Sequence, residues 1–277
     1  MSSYENYSEI AERYDRTRSA IGMEIILGCL TRSPKTLKEQ TILDAGCGTG
    51  NYVKALLPYV GKLNAVDSNE SMLNVARGKI PAAMANSQVE FEESNIEKLP
   101  YEDDMFDGAM LNQILHHMGD DASNGFAHHR QVFQELARVL KRTGVLVINI
   151  CTRTQLRQGF WFYHLIPAAL EDMTQRHIPL STMVRLLREA GFVTRQRFVP
   201  VDAVMQGEAY FNPRGPLDPV WRAGDSIWTL VEPDKLNKTM QLLRDWNRPG
   251  TLQDFVYEHD AMRQHVGQTS FLFAQKI

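Results

Sequence analysis

Cysteine is scarce: Cys29, Cys47 and Cys151 are the whole supply in 277 residues. Three thiols so widely scattered give neither a disulfide framework nor zinc-ligand spacing, so buried structural thiols and no metal site are the expectation. Long hydrophobic runs are also missing. None approaches the roughly 20 residues that span a bilayer, and the start, Met-Ser-Ser-Tyr-Glu-Asn, has neither the basic nor the apolar part of a signal peptide. The expectation is a cytoplasmic protein without a membrane span. Nor is there an excess of one charge: 30 Lys and Arg stand against 33 Asp and Glu, a formal −3, which offers nothing to draw a polyanion. Nucleic acid is therefore not an expected partner, whereas a small molecule is; the oligomeric state, monomer or homodimer, is left open. Internal repeats and low-complexity segments are absent too.

What is present begins at residues 41–50, Thr-Ile-Leu-Asp-Ala-Gly-Cys-Gly-Thr-Gly, an apolar strand running into Asp44 and then a glycine at every second position. Glycines at 46, 48 and 50 remove every other Cβ from the turn, so its backbone can take positive φ and lie against a ligand. The spacing is G-x-G-x-G, not the G-x-G-x-x-G that seats a pyrophosphate on a helix N-terminus, and it points away from dinucleotides. Downstream, Lys62-Leu-Asn-Ala-Val-Asp67 reads as a second buried strand ending in a carboxylate. At the end of the second strand of a βαβ unit, Asp67 is placed to accept both hydroxyls of a ribose.

Strand-like runs recur at Thr41–Ala45, Leu63–Val66, Val89–Glu92, Phe106–Leu111, Val145–Ile150, Phe192–Val199 and Ser270–Ala274, with helical stretches between them. This alternation predicts an α/β fold with a mainly parallel sheet covered on both faces. Gln131–Arg142 carries Val132, Leu136, Val139 and Leu140 on one helical face and stops before Gly144; Ser181 can cap a helix ending at Gly191. Two stretches exceed a minimal fold, 151–180 and 201–267. Both leave the carboxyl ends of strands, where open α/β sheets bind ligands, so they should form a cap. Within the second, Pro233 opens one helix and Thr251-x-x-Asp254 makes a capping box for another.

Together, Asp44-Ala-Gly-Cys-Gly-Thr-Gly50, Asp67, the Asn95-Ile96-Glu97-Lys98-Leu99-Pro100 turn and Phe106-Asp107 resemble the signature of class I S-adenosylmethionine-dependent methyltransferases, in the small-molecule group of the ubiquinone/menaquinone-biosynthesis type. The resemblance covers about residues 7–150. It implies a Rossmann-like seven-stranded methyltransferase sheet, mostly parallel with the last strand antiparallel, and S-adenosyl-L-methionine as cofactor. It also implies that Asp44, Gly46, Cys47, Gly48 and Gly50 face the cofactor, that Asp67 with Ser68 holds its ribose and that Met72 packs on its adenine. Asn95 and Ile96 would meet the adenine edge, where the family usually has an acidic residue in place of Asn95. Its carbonyl can still accept from the adenine amino group, and the other reading of Asn95 is a turn residue. In this reading residues 1–38 are cofactor-covering helices, 39–200 with 268–277 the cofactor-binding core, and 201–267 a substrate cap to which 151–180 contributes.

Residues 7–16 resemble the helix that folds over the cofactor in that group, with Tyr14 and Arg18 as candidates to grip its methionine carboxylate; the stretch also reads as a surface helix with a stripe of Tyr7, Ile10 and Tyr14. After the fourth strand, Leu111-Asn-Gln-Ile-Leu-His-His-Met118 passes the sulfonium methyl in this fold. Asn112 and Gln113 are cofactor candidates, and the absence of an Asn/Asp-Pro-Pro-aromatic motif disfavours amino-group methylation of nucleic acids and proteins. His116 and His117 diverge by about 100° on a helical turn, so only one faces the pocket. His117 is the first choice as general base and His116 the second, although methyl transfer can also proceed by positioning alone. In the cap, Trp161, Tyr163, Tyr210, Trp221, Arg222 and Trp228 are candidates for substrate binding, and aromatic clusters are by default a core. His128-His129 and Glu102–Asp104 read as solvated faces.

These residues add up to methyl transfer from S-adenosylmethionine to a small molecule. The alternatives are a macromolecular methyltransferase acting on tRNA or protein, and a non-catalytic regulatory protein that binds the cofactor.

Overall fold

A computed structural model describes residues 19–246 and 250–277. Seven strands, β1 (Thr41–Ala45), β2 (Lys62–Asp67), β3 (Val89–Glu93), β4 (Phe106–Asn112), β5 (Leu140–Ile150), β6 (Phe192–Phe198) and β7 (Ser270–Lys276), form one sheet in the order β3-β2-β1-β4-β5-β7-β6. The first five pair in parallel, and β7 runs antiparallel between β5 and β6. The seven-stranded methyltransferase arrangement expected from the sequence is the one observed.

Near-continuous apolar runs form these strands because side chains alternate between two covered faces. Ile42, Leu63, Met110, Val147 and Phe271 pack on one face with Ile26, Leu30, Val53 and Leu56 of the helices Met23–Leu30 and Asn51–Leu56. Leu43, Val66, Leu111, Ile148 and Leu272 pack on the other with Val132, Phe133 and Leu136 of the helix Ala127–Val139 and Met183 and Leu186 of the helix Leu180–Glu189.

Strand ends match the sequence reading to within two residues except at β5, which starts at Leu140. There the ladder wins over the helical pattern: Leu140 pairs with Phe106, and Lys141 Nζ reaches Asp107 Oδ1 at 2.9 Å. Thr143, at φ 65°, takes up the irregularity. The helix before it therefore ends at Val139 and begins at Ala127, not Gln131. Its early start overturns the solvated reading of His129. That ring is fully buried, because Asp120 folds back and accepts from both the backbone N–H and Nδ1 of His129, each at 2.8 Å. His128 is exposed and pairs with Glu97.

Residues 151–173 and 204–256 build a third core among the described residues, dominated by Phe160, Trp161, Phe162, Tyr163, Tyr210, Trp221 and Trp228. Pro233 opens the helix Pro233–Asp245 as expected. Two cap expectations fail. Gly250, at φ 97°, sits at the N-cap of the helix Thr251–Asp260 and no capping box forms; Ser181 lies inside the first turn of Leu180–Glu189, behind Pro179. No helix among the described residues is long and apolar enough to cross a membrane.

Candidate functional site

The carboxyl ends of β1, β2, β4 and β5 converge on one cleft, lined by the 44–49 turn, Asp67, Ser68, Met72, Asn95 and Ile96 together with Tyr52, Asn112, Gln113, Ile114, His117, Met118, Asn149 and Met205. The chain crosses from β1 to the helix Asn51–Leu56 with Gly46, Gly48 and Gly50 at φ 80°, 52° and 75°, values that L side chains rarely adopt. Gly46 and Gly50 are also pressed by neighbours, since a Cβ would lie 2.8 Å from Ile114 Cγ1 and 2.9 Å from Ala76 Cβ. At Gly48 a Cβ would meet nothing within 4 Å, so this glycine keeps the turn bare where it lines the cleft.

Asp67 holds the turn from β2. Its Oδ2 accepts from Gly48 N–H at 2.8 Å and its Oδ1 from Asn69 N–H at 3.0 Å. Burial raises its pKa against the pull of those N–H groups. Asn69 caps the helix Glu70–Lys79 through Ser71 and Met72 N–H, which sets Met72 against the cleft. Asp44, 1% exposed, is pushed up to about 7, chiefly by desolvation; the Asn112 amide opposes the shift and the Asp67 charge adds to it. Burial also pushes the Cys47 thiol up, so it stays protonated.

Asn112 donates through Nδ2 to Asp44 Oδ1 at 3.5 Å, while its own Oδ1 is buried with no hydrogen-bond partner among the described residues. A buried acceptor left unmatched beside a carboxylate suits a ligand that brings donors and positive charge. With the bare turn at Gly48 and the Asp67 carboxylate beside it, the residues fit S-adenosylmethionine, whose methionine end is cationic.

Asn95 behaves as a turn residue: its Oδ1 accepts from Glu97 N–H at 2.9 Å, although the residue still lines the cleft. His117 lines the cleft; His116 instead stacks on His177, ring centres 4.8 Å apart and planes 6° apart. His177 is neutral there, its pKa lowered to about 4 mainly by burial. Tyr14 and Arg18 lie outside the described residues.

None of the six cap candidates lines the cleft. Trp161 and Trp221 donate their indole N–H groups to Tyr210 and Ala209 carbonyls, the Tyr163 hydroxyl donates to Asp225, Trp228 stacks on Phe162, and Arg222 donates to the Pro216 carbonyl. These are contacts within that third core. From the cap, the cleft receives Met205. Sequence reasoning missed Met205, Tyr52 and Asn149; a polar residue ending β5 was a usable signal for Asn149, and none marked Met205.

A methyltransferase-domain family matches residues 43–148. The chain is 32% identical over 139 residues to the uncharacterized methyltransferase YcgJ of Bacillus subtilis, a stretch covering 50% of this chain and 51% of YcgJ. It is 30% identical over 169 residues to the demethylmenaquinone methyltransferase of Shouchella clausii, covering 57% of this chain and 67% of that protein. The chain belongs to the class I S-adenosylmethionine-dependent methyltransferases. Among solved structures, a protein from an antibiotic biosynthesis pathway of Anabaena variabilis superposes on this methyltransferase with a TM-score of 0.70 over 95% of this chain and 100% of its own, at 23% identity, a likeness of fold. The chain thus spans about half the length of YcgJ, and the two similarities cover 50% and 57% of this chain.

Proposed function

We propose that this methyltransferase moves the methyl group of S-adenosylmethionine onto a small-molecule acceptor held beside Gln113, Ile114, His117, Met118, Asn149 and Met205. One observation carries the reading: the glycine turn and Asp67 line the same cleft as Gln113, Ile114, His117, Asn149 and Met205, which supports a cofactor and an acceptor meeting there. Bound, the cofactor supplies an electrophilic methyl group on a sulfonium. Asp67 accepts from the ribose hydroxyls, Met72 and Ile96 pack on the adenine, and Asp44 with Asn112 Oδ1 faces the cationic methionine end. Ile114, Met118 and Met205 exclude water and align the acceptor, and His117 takes the proton an oxygen or nitrogen nucleophile loses. None of the three cysteines forms a disulfide, which fits a reducing cytoplasm, and no nucleic-acid partner is invoked. The cap of residues 201–267 and 151–180 delimits the acceptor half through Met205.

Incubation with methyl-labelled S-adenosylmethionine and a fractionated metabolite extract tests this. Label in a compound of low molecular mass is expected. Label confined to the tRNA or protein fraction would move the assignment to a macromolecular acceptor, and binding with no transfer to any fraction would leave a regulatory protein.

A further inference from the structure

Thr269 sits at the threshold of β7, fully buried and 156 residues from Gln113, yet its hydroxyl accepts from Gln113 Nε2 at 2.9 Å. The other hydrogen of that amide goes to Asn149 Oδ1 at 3.0 Å, and Gln113 Oε1 faces the Cys151 thiol at 3.5 Å. Both N–H groups of the Gln113 amide are thus consumed inside the protein. Thr269 also donates, its one proton lying between Asn149 Oδ1 and the Ile150 carbonyl, and Asn149 Nδ2 donates to the Tyr52 hydroxyl at 2.9 Å.

This knot gathers the ends of β4 and β5 and the start of β7 around a strained residue. Gln113 has φ 53°, a left-handed conformation that a side chain with a Cβ rarely takes, and its own N–H is fastened to the Asn149 carbonyl at 2.9 Å. The left-handed step turns the chain so that Ile114 follows directly onto Gly46, its Cγ1 2.8 Å from where a Cβ would be. Whatever holds Gln113 therefore holds Ile114 against the glycine turn.

We propose that Thr269 and Asn149 are positioning residues of the cofactor site, acting through Gln113 to seat Ile114 on Gly46. The inference rests on the assignment of the 44–50 turn to S-adenosylmethionine. S-adenosylhomocysteine, titrated by calorimetry into the full chain, is the probe. Thr269→Val, which keeps the shape and removes the hydroxyl, should weaken its binding about 5- to 50-fold, and Thr269→Ser should restore wild-type affinity. Ser270→Ala removes a neighbouring buried hydroxyl that donates to Gln155, whose amide meets the Thr269 carbonyl but not its hydroxyl, and should leave affinity unchanged even where it lowers the melting temperature. In an Ile114→Ala background, Thr269→Val should add no further loss, because the path to the site is already cut. Equal affinity in Thr269→Val and wild type, or full additivity with Ile114→Ala, would overturn the proposal. Absence of binding by the wild type would instead overturn the cofactor assignment on which it rests.

Discussion

Ile114 lies over Gly46 so closely that a Cβ there would come within 2.8 Å of its Cγ1. Backbone and neighbour thus both demand glycine: the φ of 80° is one that alanine takes at a cost of about 1–2 kcal/mol, before any clash. Gly46→Ala should lower the melting temperature and abolish S-adenosylhomocysteine binding in calorimetry, and adding Ile114→Ala should recover part of the stability. Gly48→Ala is the contrast, with open space around the new methyl group. That variant should melt closer to wild type yet still bind poorly, because the methyl stands where the turn lines the cleft. If Gly48→Ala binds normally, the turn does not face the cofactor.

Asp67 steadies Gly48 N–H, and in the proposed function its remaining lone pairs go to the ribose. Asp67→Ala should weaken cofactor affinity by roughly 30- to 1000-fold, the equivalent of about 2–4 kcal/mol for hydrogen bonds to a charged acceptor. Unchanged affinity in calorimetry would remove the ribose role. Asp67→Asn keeps one acceptor oxygen and should fall between the two.

The fold was legible because its signals are redundant. Val145–Ile150 and Leu63–Val66 are apolar at all but one position each, as two covered faces require, and the glycine turn combines three positive-φ positions with a strand on one side and a helix on the other. What residues 201–267 bring to the cleft was not legible. Trp161 and Tyr163 were candidates for substrate binding as well as for a core, and both are buried in the core that residues 151–173 form with 204–256. Aromatic density predicts burial without saying whether protein or ligand does the burying. Thr269 carried no signal at all, since its meaning depends on a contact across 156 residues. His129 misled for a local reason: the pair His128-His129 resembles a wet face until the Asp120 fold-back shows one ring buried and the other exposed.

Trp161 and Met205 should separate stability from recognition. Trp161 is fully buried and tied to Tyr210, so Trp161→Ala should cost about 3–5 kcal/mol and lower the urea midpoint. Met205 reaches the cleft, and Met205→Ala should raise the acceptor KM several-fold at near-wild-type cofactor affinity. A KM effect from Trp161→Ala at unchanged stability would return the cap aromatics to the acceptor site.

Asp44 predicts a pH dependence with a definite sign. Its carboxyl titrates at about 7 in the folded protein against about 3.9 in an unfolded chain, so the folded state holds the proton more tightly. Its contribution to stability is full below about pH 4 and is lost as pH rises through about 7, on the order of a few kcal/mol. Asp44→Asn should flatten that slope in urea unfolding between pH 4 and 8. Binding a cationic ligand should favour the ionised carboxylate, so S-adenosylmethionine should bind more tightly at pH 8 than at pH 6 and release a proton in the lower part of that range. Calorimetry in buffers of different ionisation enthalpy counts the proton; no release at pH 6 would mean that Asp44 does not face the bound charge.

His117 and His116 are neighbours that the fold treats differently: the first lines the cleft, and the second stacks on a His177 held neutral by burial. If His117 accepts the proton of an oxygen or nitrogen acceptor, His117→Ala should lower kcat by about 100- to 10,000-fold while leaving cofactor affinity intact, and the rate profile should lose its histidine limb. His116→Ala should act differently, lowering the melting temperature through the lost stack and reducing kcat only as far as the turn loosens. An acceptor that is already a thiolate, or a carbon activated elsewhere, needs no base. A small kcat change in His117→Ala at every pH from 6 to 9 would therefore take this imidazole out of the chemistry, and alignment by Ile114, Met118 and Met205 would then account for the rate.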